Sequence, residues 1–91
     1  MMQPPEGYRV EDDTVMSNFD HSIARDLEER MRREKVVLQY AGRNFSGDVW
    51  FDPEQRAFRC IVNVHGVARE MVSRRSLEEI QWYCCDEYGP E

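Results

Sequence analysis

The sequence predicts an α+β domain, a sheet with helices on one side, and three observations carry that prediction. An apolar period of four over residues 19–31 gives way to a period of two over residues 36–72, and a helical pattern returns after Ser76. Turn chemistry separates the period-two runs, at Gly42-Arg43-Asn44, Asp52-Pro53-Glu54-Gln55 and His65-Gly66. Ninety-one residues leave room for one small domain, since independent domains run from about 50 to 250 residues. The expected architecture is an N-terminal helix, an antiparallel meander of three to four strands and a C-terminal helix packed on one sheet face. It occupies residues 17–91 as a single domain, behind a flexible acidic tail at 1–16.

That tail holds two prolines, a glycine and the run Glu11-Asp12-Asp13, with only Tyr8, Val10 and Val15 to bury, so at most a short edge segment forms around Tyr8 to Val10. Ser17, followed three residues later by Asp20, supplies a capping-box-like start for a helix over about 18–34. Phe19, Ile23, Leu27 and Met31 recur every four residues and Ala24 widens the stripe. On the outer face, Asp26/Arg30, Glu28/Arg32 and Glu29/Arg33 place an acid four residues before a base, each pair stabilising the helix by a few tenths of a kcal/mol (~0.2 to 0.5).

In the meander, Val36, Leu38 and Tyr40 alternate with Val37 and Gln39. Val49 and Phe51 share one strand face and Trp50 points to the other. Asp52 and Pro53 suit the first two positions of a type I turn. Phe58, Cys60, Val62 and Val64 then face one way, with Arg59, Ile61 and Asn63 facing the other. His65-Gly66 reads as a two-residue hairpin loop before a strand at 67–72. Ser76 and Glu79 have capping-box spacing, and Leu77, Ile80, Cys84 and Tyr88 line one face of the last helix, which Gly89-Pro90 stops.

Several function classes lose their support at once. The longest apolar runs, such as Val36-Val37-Leu38 and Cys60-Ile61-Val62, are strand-sized, so no membrane span is expected. The first residues lack the cationic and apolar regions of a secretory signal, and three cysteines, with Cys84 and Cys85 adjacent, make no disulfide framework. A cytoplasmic location is the expectation. Cys60 reads as a small core hydrophobe, and of Cys84 and Cys85, about 100° apart on a helix, only one can face the core. The two-residue gap usual between paired zinc cysteines is missing, and Gly42, Gly47 and Gly66 are isolated turn glycines rather than a phosphate loop. His21 and His65 have no Ser or Cys nucleophile beside them in sequence. No catalytic, metal or cofactor-binding residue is therefore assigned, and no small-molecule substrate is identified.

Two surfaces carry functional expectations. Trp50 and Ile61 on the second sheet face, with Trp82 and Tyr83 flanking the last helix, would form an aromatic patch if that face is uncovered, suited to a protein partner or a homodimer contact. A covering N-terminal segment or first helix would instead bury them. Arg30, Arg32, Arg33, Arg69, Arg74 and Arg75 are candidate phosphate contacts, although interleaved acids partly neutralise the helical ones. The net charge of −6 divides by segment: residues 1–20 carry one Arg against five acids, residues 76–91 carry five acids and no base, and the 55 residues between them are net +3. An acidic total thus leaves room for a phosphate-contacting surface that the tail could shield. The expected function is a small non-enzymatic interaction or regulatory module, with a nucleic-acid-binding accessory protein as the alternative.

Residues 46–79 resemble the YrdB-like family, small bacterial proteins classed as a domain of unknown function. The resemblance rests on Trp50-Phe51-Asp52, on Arg56-Ala57-Phe58, on Val64-His65-Gly66 and on the helix start from Val72 to Glu79. It implies three strands followed by a helix, and it implies no activity.

Overall fold

A computed structural model describes residues 3–16 and 21–89, with the side chains of 3–11 and 23–89. The elements are β1 (Arg9–Met16), α1 (His21–Arg33), β2 (Val36–Ala41), β3 (Ser46–Asp52), β4 (Ala57–Val64), β5 (Val67–Arg74) and α2 (Leu77–Glu87). The five strands form one sheet in sequence order. β2 to β5 are the expected antiparallel meander, and β1 pairs with β2 in parallel, so the sheet is mixed.

β1 corrects the expectation of a tail at 1–16 and of three to four strands. Arg9 lies opposite Val36 and Val10 opposite Val37, the register breaks, and Thr14 to Met16 lie opposite Gln39 to Ala41. A parallel neighbour requires a crossover, and α1 supplies it. Of the acidic run that suggested a tail, Glu11 is held in the fold: its carboxylate takes Arg9 at 2.8 Å and also Arg30 of α1. These two guanidiniums hold the Glu11 carboxyl below the usual carboxylate range.

α1 presents Ala24 and Met31 to the core with Leu27 half-buried, whereas Ile23, expected in the same stripe, is exposed. Its predicted cap at Ser17 to Asp20, and Phe19, lie outside the described residues. α2 starts as the sequence says: the Ser76 hydroxyl accepts from the Glu79 N–H at 3.1 Å, and the Glu79 carboxylate reaches back to the Arg75 N–H at 3.1 Å. The Leu77 N–H, unpaired within the helix, donates at 2.9 Å to Glu28 of α1, which ties the two helices together.

Both helices lie on one side of the sheet. Met31 of α1 and Leu77, Ile80 and Cys84 of α2 meet Val36, Leu38, Tyr40, Val49, Phe58, Cys60, Val62 and Val72 in one core. Burying each Val, Leu or Phe of this set stabilises the fold by about 1.5 to 3 kcal/mol. Phe45, in the β2–β3 loop, closes the end of this core against Tyr40 and Tyr88, with ring centroids 5.7 and 5.9 Å away. The β4–β5 turn has positive φ at both His65 (53°) and Gly66 (78°), the backbone of a type I′ hairpin loop.

Candidate functional site

The side of the sheet without helices carries a second, smaller core of Val37, Trp50 and Ile61. Trp50 is 3% exposed and Ile61 2%, which corrects their assignment to an open aromatic patch. The cover comes from the N-terminal segment: Tyr8 packs on this cluster, and its hydroxyl donates at 2.8 Å to the Phe51 carbonyl. Burial, followed by the nearby Asp52, pushes the Tyr8 hydroxyl pKa up. Arg59, opposite Trp50, lies 3.3 Å from Asp52 and 3.5 Å from the Met71 sulfur.

Strand register extends this cluster into a row. Val10 lies opposite Val37 and Met71 opposite Ile61, and paired residues project from the same side of a sheet. The row therefore begins at Val10 on β1, 58% exposed, passes through buried Val37, Trp50 and Ile61, and ends at Met71 on β5, 37% exposed. Between Gln39 and Ile61 sits Asp48 of β3. Burial pushes its carboxyl up, and no ion pair engages it among the described residues. The sequence places Val10 in a short edge segment around Tyr8 to Val10 but not in this row, and it does not single out Met71. Met71 was recoverable, because it alternates with Val72, which fits the core period, but Val10 required knowing that β1 joins the sheet.

Trp82 and Tyr83 stand on the other side, on α2, and do not join Trp50 and Ile61. Trp82 is 64% exposed. Tyr83 is half-buried: its hydroxyl donates at 2.8 Å to the Glu70 carboxylate, and the Arg74 guanidinium lies 4.8 Å from its ring centroid. The Tyr88 hydroxyl donates to the same Glu70 oxygen. These two bonds, Tyr88 foremost, hold the Glu70 carboxyl below its ordinary range and push both phenols up.

The six candidate arginines do not form one track. Arg30 is engaged by Glu11 and, at 3.5 Å, by Glu34; Arg32 pairs with Glu28 at 3.6 Å and lies over the rings of Phe51 and Phe58. Of the three expected helical pairs, Glu28/Arg32 is the one seen among the described residues. Arg33 and Arg69 are exposed, Arg69 where the β4–β5 register shifts. Arg74 donates to the Ser73 carbonyl at 2.8 Å, and Arg75 shares a shallow cleft with Gln55 and Arg56.

Cys60 and Cys84 are fully buried and Cys85 is half-buried, so one of the adjacent pair faces the core as expected. A hydrogen bond to Cys84, then burial, pushes the Cys60 thiol pKa up. Cys85 engages the Tyr40 hydroxyl, and burial raises the Tyr40 pKa as well. Among the described residues no group of three His, Cys, Asp or Glu side chains could hold a metal ion, and no helix is long and apolar enough to cross a membrane. Compared with protein families, with curated proteins and with solved structures, the chain shows no significant match.

Proposed function

We propose that this protein is a small non-enzymatic interaction module that docks a protein partner, a second copy included, on the side of the sheet opposite the helices. The observation that carries the reading is the apolar row across all five strands, closed at its centre by Tyr8 and open at both ends, at Val10 and Met71. A partner laid along it would cover those two side chains without rebuilding the domain, and apolar surface removed from water contributes about 25 cal/mol per Å². Asp48 gives the surface polarity: a half-buried carboxylate without an ion pair favours a partner that brings a cation or an N–H donor. The alternative, nucleic-acid binding through Arg30, Arg32, Arg33, Arg69, Arg74 and Arg75, gains little support, because Arg30 and Arg32 are committed to carboxylates.

Light scattering across a concentration series, with affinity capture from host lysate in the presence and absence of nuclease, tests the reading. A dimer or a nuclease-resistant complex that Val10→Glu and Met71→Glu abolish, with melting unchanged, is the expected result. A strictly monomeric protein with no captured partner overturns it, and capture lost on nuclease treatment favours nucleic acid.

A further inference from the structure

The turn end of the sheet carries a second feature, independent of the docking row. Ser46 opens β3 directly opposite Asn63 of β4, so the β2–β3 loop and the β4–β5 turn project side by side from the same end. Between them lies an open cleft of about 290 Å³ lined by Arg43, Asn44, Phe45, Ser46, Asn63 and His65. The chain holds 18 acidic residues and has a net charge of −6, yet no carboxylate lines this cleft. Its polar lining is instead a guanidinium, an imidazole, two carboxamides and a hydroxyl. Every one of these can donate a hydrogen bond, the imidazole in both of its protonation states.

We propose that this cleft binds a small oxyanion, specifically a phosphate or the phosphate group of a small monoester, with Arg43 as the charge and His65, Asn44 and Ser46 as further donors around it. No ion pair engages Arg43 among the described residues, so its charge is available to a ligand. The backbone on either side of the cleft is held in place. Phe45 is buried against Tyr40 and Tyr88, and its carbonyl accepts from the Gly42 N–H at 2.9 Å, which closes the loop that carries Arg43 and Asn44. On the other side, His65 and Gly66 hold the left-handed backbone (φ 53° and 78°) of a tight two-residue turn, which fixes the place from which the imidazole projects. At about 290 Å³ the open cleft lies just below the range of about 300 to 1,000 Å³ usual for ligand pockets, a size that suits a phosphate with a few attached carbons.

Nitrogen-15 correlation spectra of the full chain, titrated with inorganic phosphate, then glycerol 3-phosphate, then AMP, with sodium chloride at matched ionic strength as the control, test the assignment. Saturable shifts confined to residues 43–46 and 63–66 are expected from inorganic phosphate and glycerol 3-phosphate. The stronger of the two identifies the source as the free ion or the monoester, and AMP is expected to bind no tighter. Arg43→Gln is expected to weaken binding about tenfold, the scale of one charge-assisted contact. His65→Asn, which keeps the turn, weakens it less while leaving the melting temperature unchanged, and Arg33→Gln has no effect. Shifts that rise linearly, that chloride reproduces, that spread over all arginines, or that survive in Arg43→Gln overturn the proposal.

Discussion

The Tyr8 hydroxyl donates to the Phe51 carbonyl at 2.8 Å across 43 residues of sequence, and this bond fixes the N-terminal segment over Trp50. Tyr8→Phe removes the bond and is expected to cost about 1 kcal/mol. Tyr8→Ala also uncovers the cluster and costs about 2 kcal/mol more. Urea unfolding measures both, and in a Trp82→Phe background, where Trp50 is the remaining tryptophan, only Tyr8→Ala shifts the native emission to the red. An unshifted emission in that variant would mean that Tyr8 does not cover Trp50.

Two carboxylates give opposite pH responses. Asp48 is raised above its ordinary 3.8 by burial, so its ionised form costs stability above its folded pKa, and that cost disappears as pH falls through that value. Asp48→Asn is expected to stabilise the protein at pH 7 by a few tenths to about 1 kcal/mol, allowing for solvent screening, and to abolish the relief on acidification. Glu70 is lowered from its ordinary 4.5 by Tyr88 and Tyr83, so its contribution is present above 4.5 and is lost as pH falls through the lower folded value. Glu70→Ala flattens that loss. Stability profiles from pH 7 to pH 3 for the two variants check both signs.

Gly47 has no room for a side chain while Cys60 stands beside it. A Cβ at Gly47 would stand 2.6 Å from the Cys60 sulfur and 3.3 Å from the Ile61 carbonyl. Gly47→Ala is expected to destabilise by about 1 to 3 kcal/mol through overpacking. Cys60→Ala makes room for the added methyl, so the double variant loses less than the sum of the single ones. Strictly additive losses in a denaturant cycle would relocate the strain to the Ile61 backbone.

Thiol reactivity follows burial. One thiol, Cys85, is expected to react with a disulfide reagent in the native protein, and all three in urea. Rapid native labelling of Cys60 or Cys84 would contradict their place between β4 and α2.

The meander and both helices were legible because their signals are local. Val49 and Phe51 alternate with Trp50 within one strand, His65-Gly66 specifies its own turn, and Ser76 and Glu79 cap a helix from within four residues. β1 was not legible in the same way. Its pairing with β2 runs across α1, and Glu11 finds its partner Arg30 only once that helix has folded back beside the strand. The candidate patch failed for the same reason: Trp50 points away from the helices as its alternation says, but the residue that covers it comes from a segment with no periodicity. The hairpin cleft gathers Arg43 and His65, 22 positions apart, through the register of β3 with β4, which no local pattern encodes.

The bulge between β4 and β5 has a consequence for behaviour at high concentration. β5 is a free sheet edge, and an unpaired edge strand invites neighbouring chains to add to it, strand upon strand. The register shift beside Val62 and Asn63 falls on that edge, with exposed Arg69 on it, so an incoming strand meets both a broken ladder and a positive charge. At the opposite edge, β1 has its own register break between Val10 and Thr14. Fibre growth by edge addition is thereby obstructed at both ends of the sheet, so Val10 and Met71, the open ends of the apolar row, stay accessible without a regular edge beside them to seed aggregation.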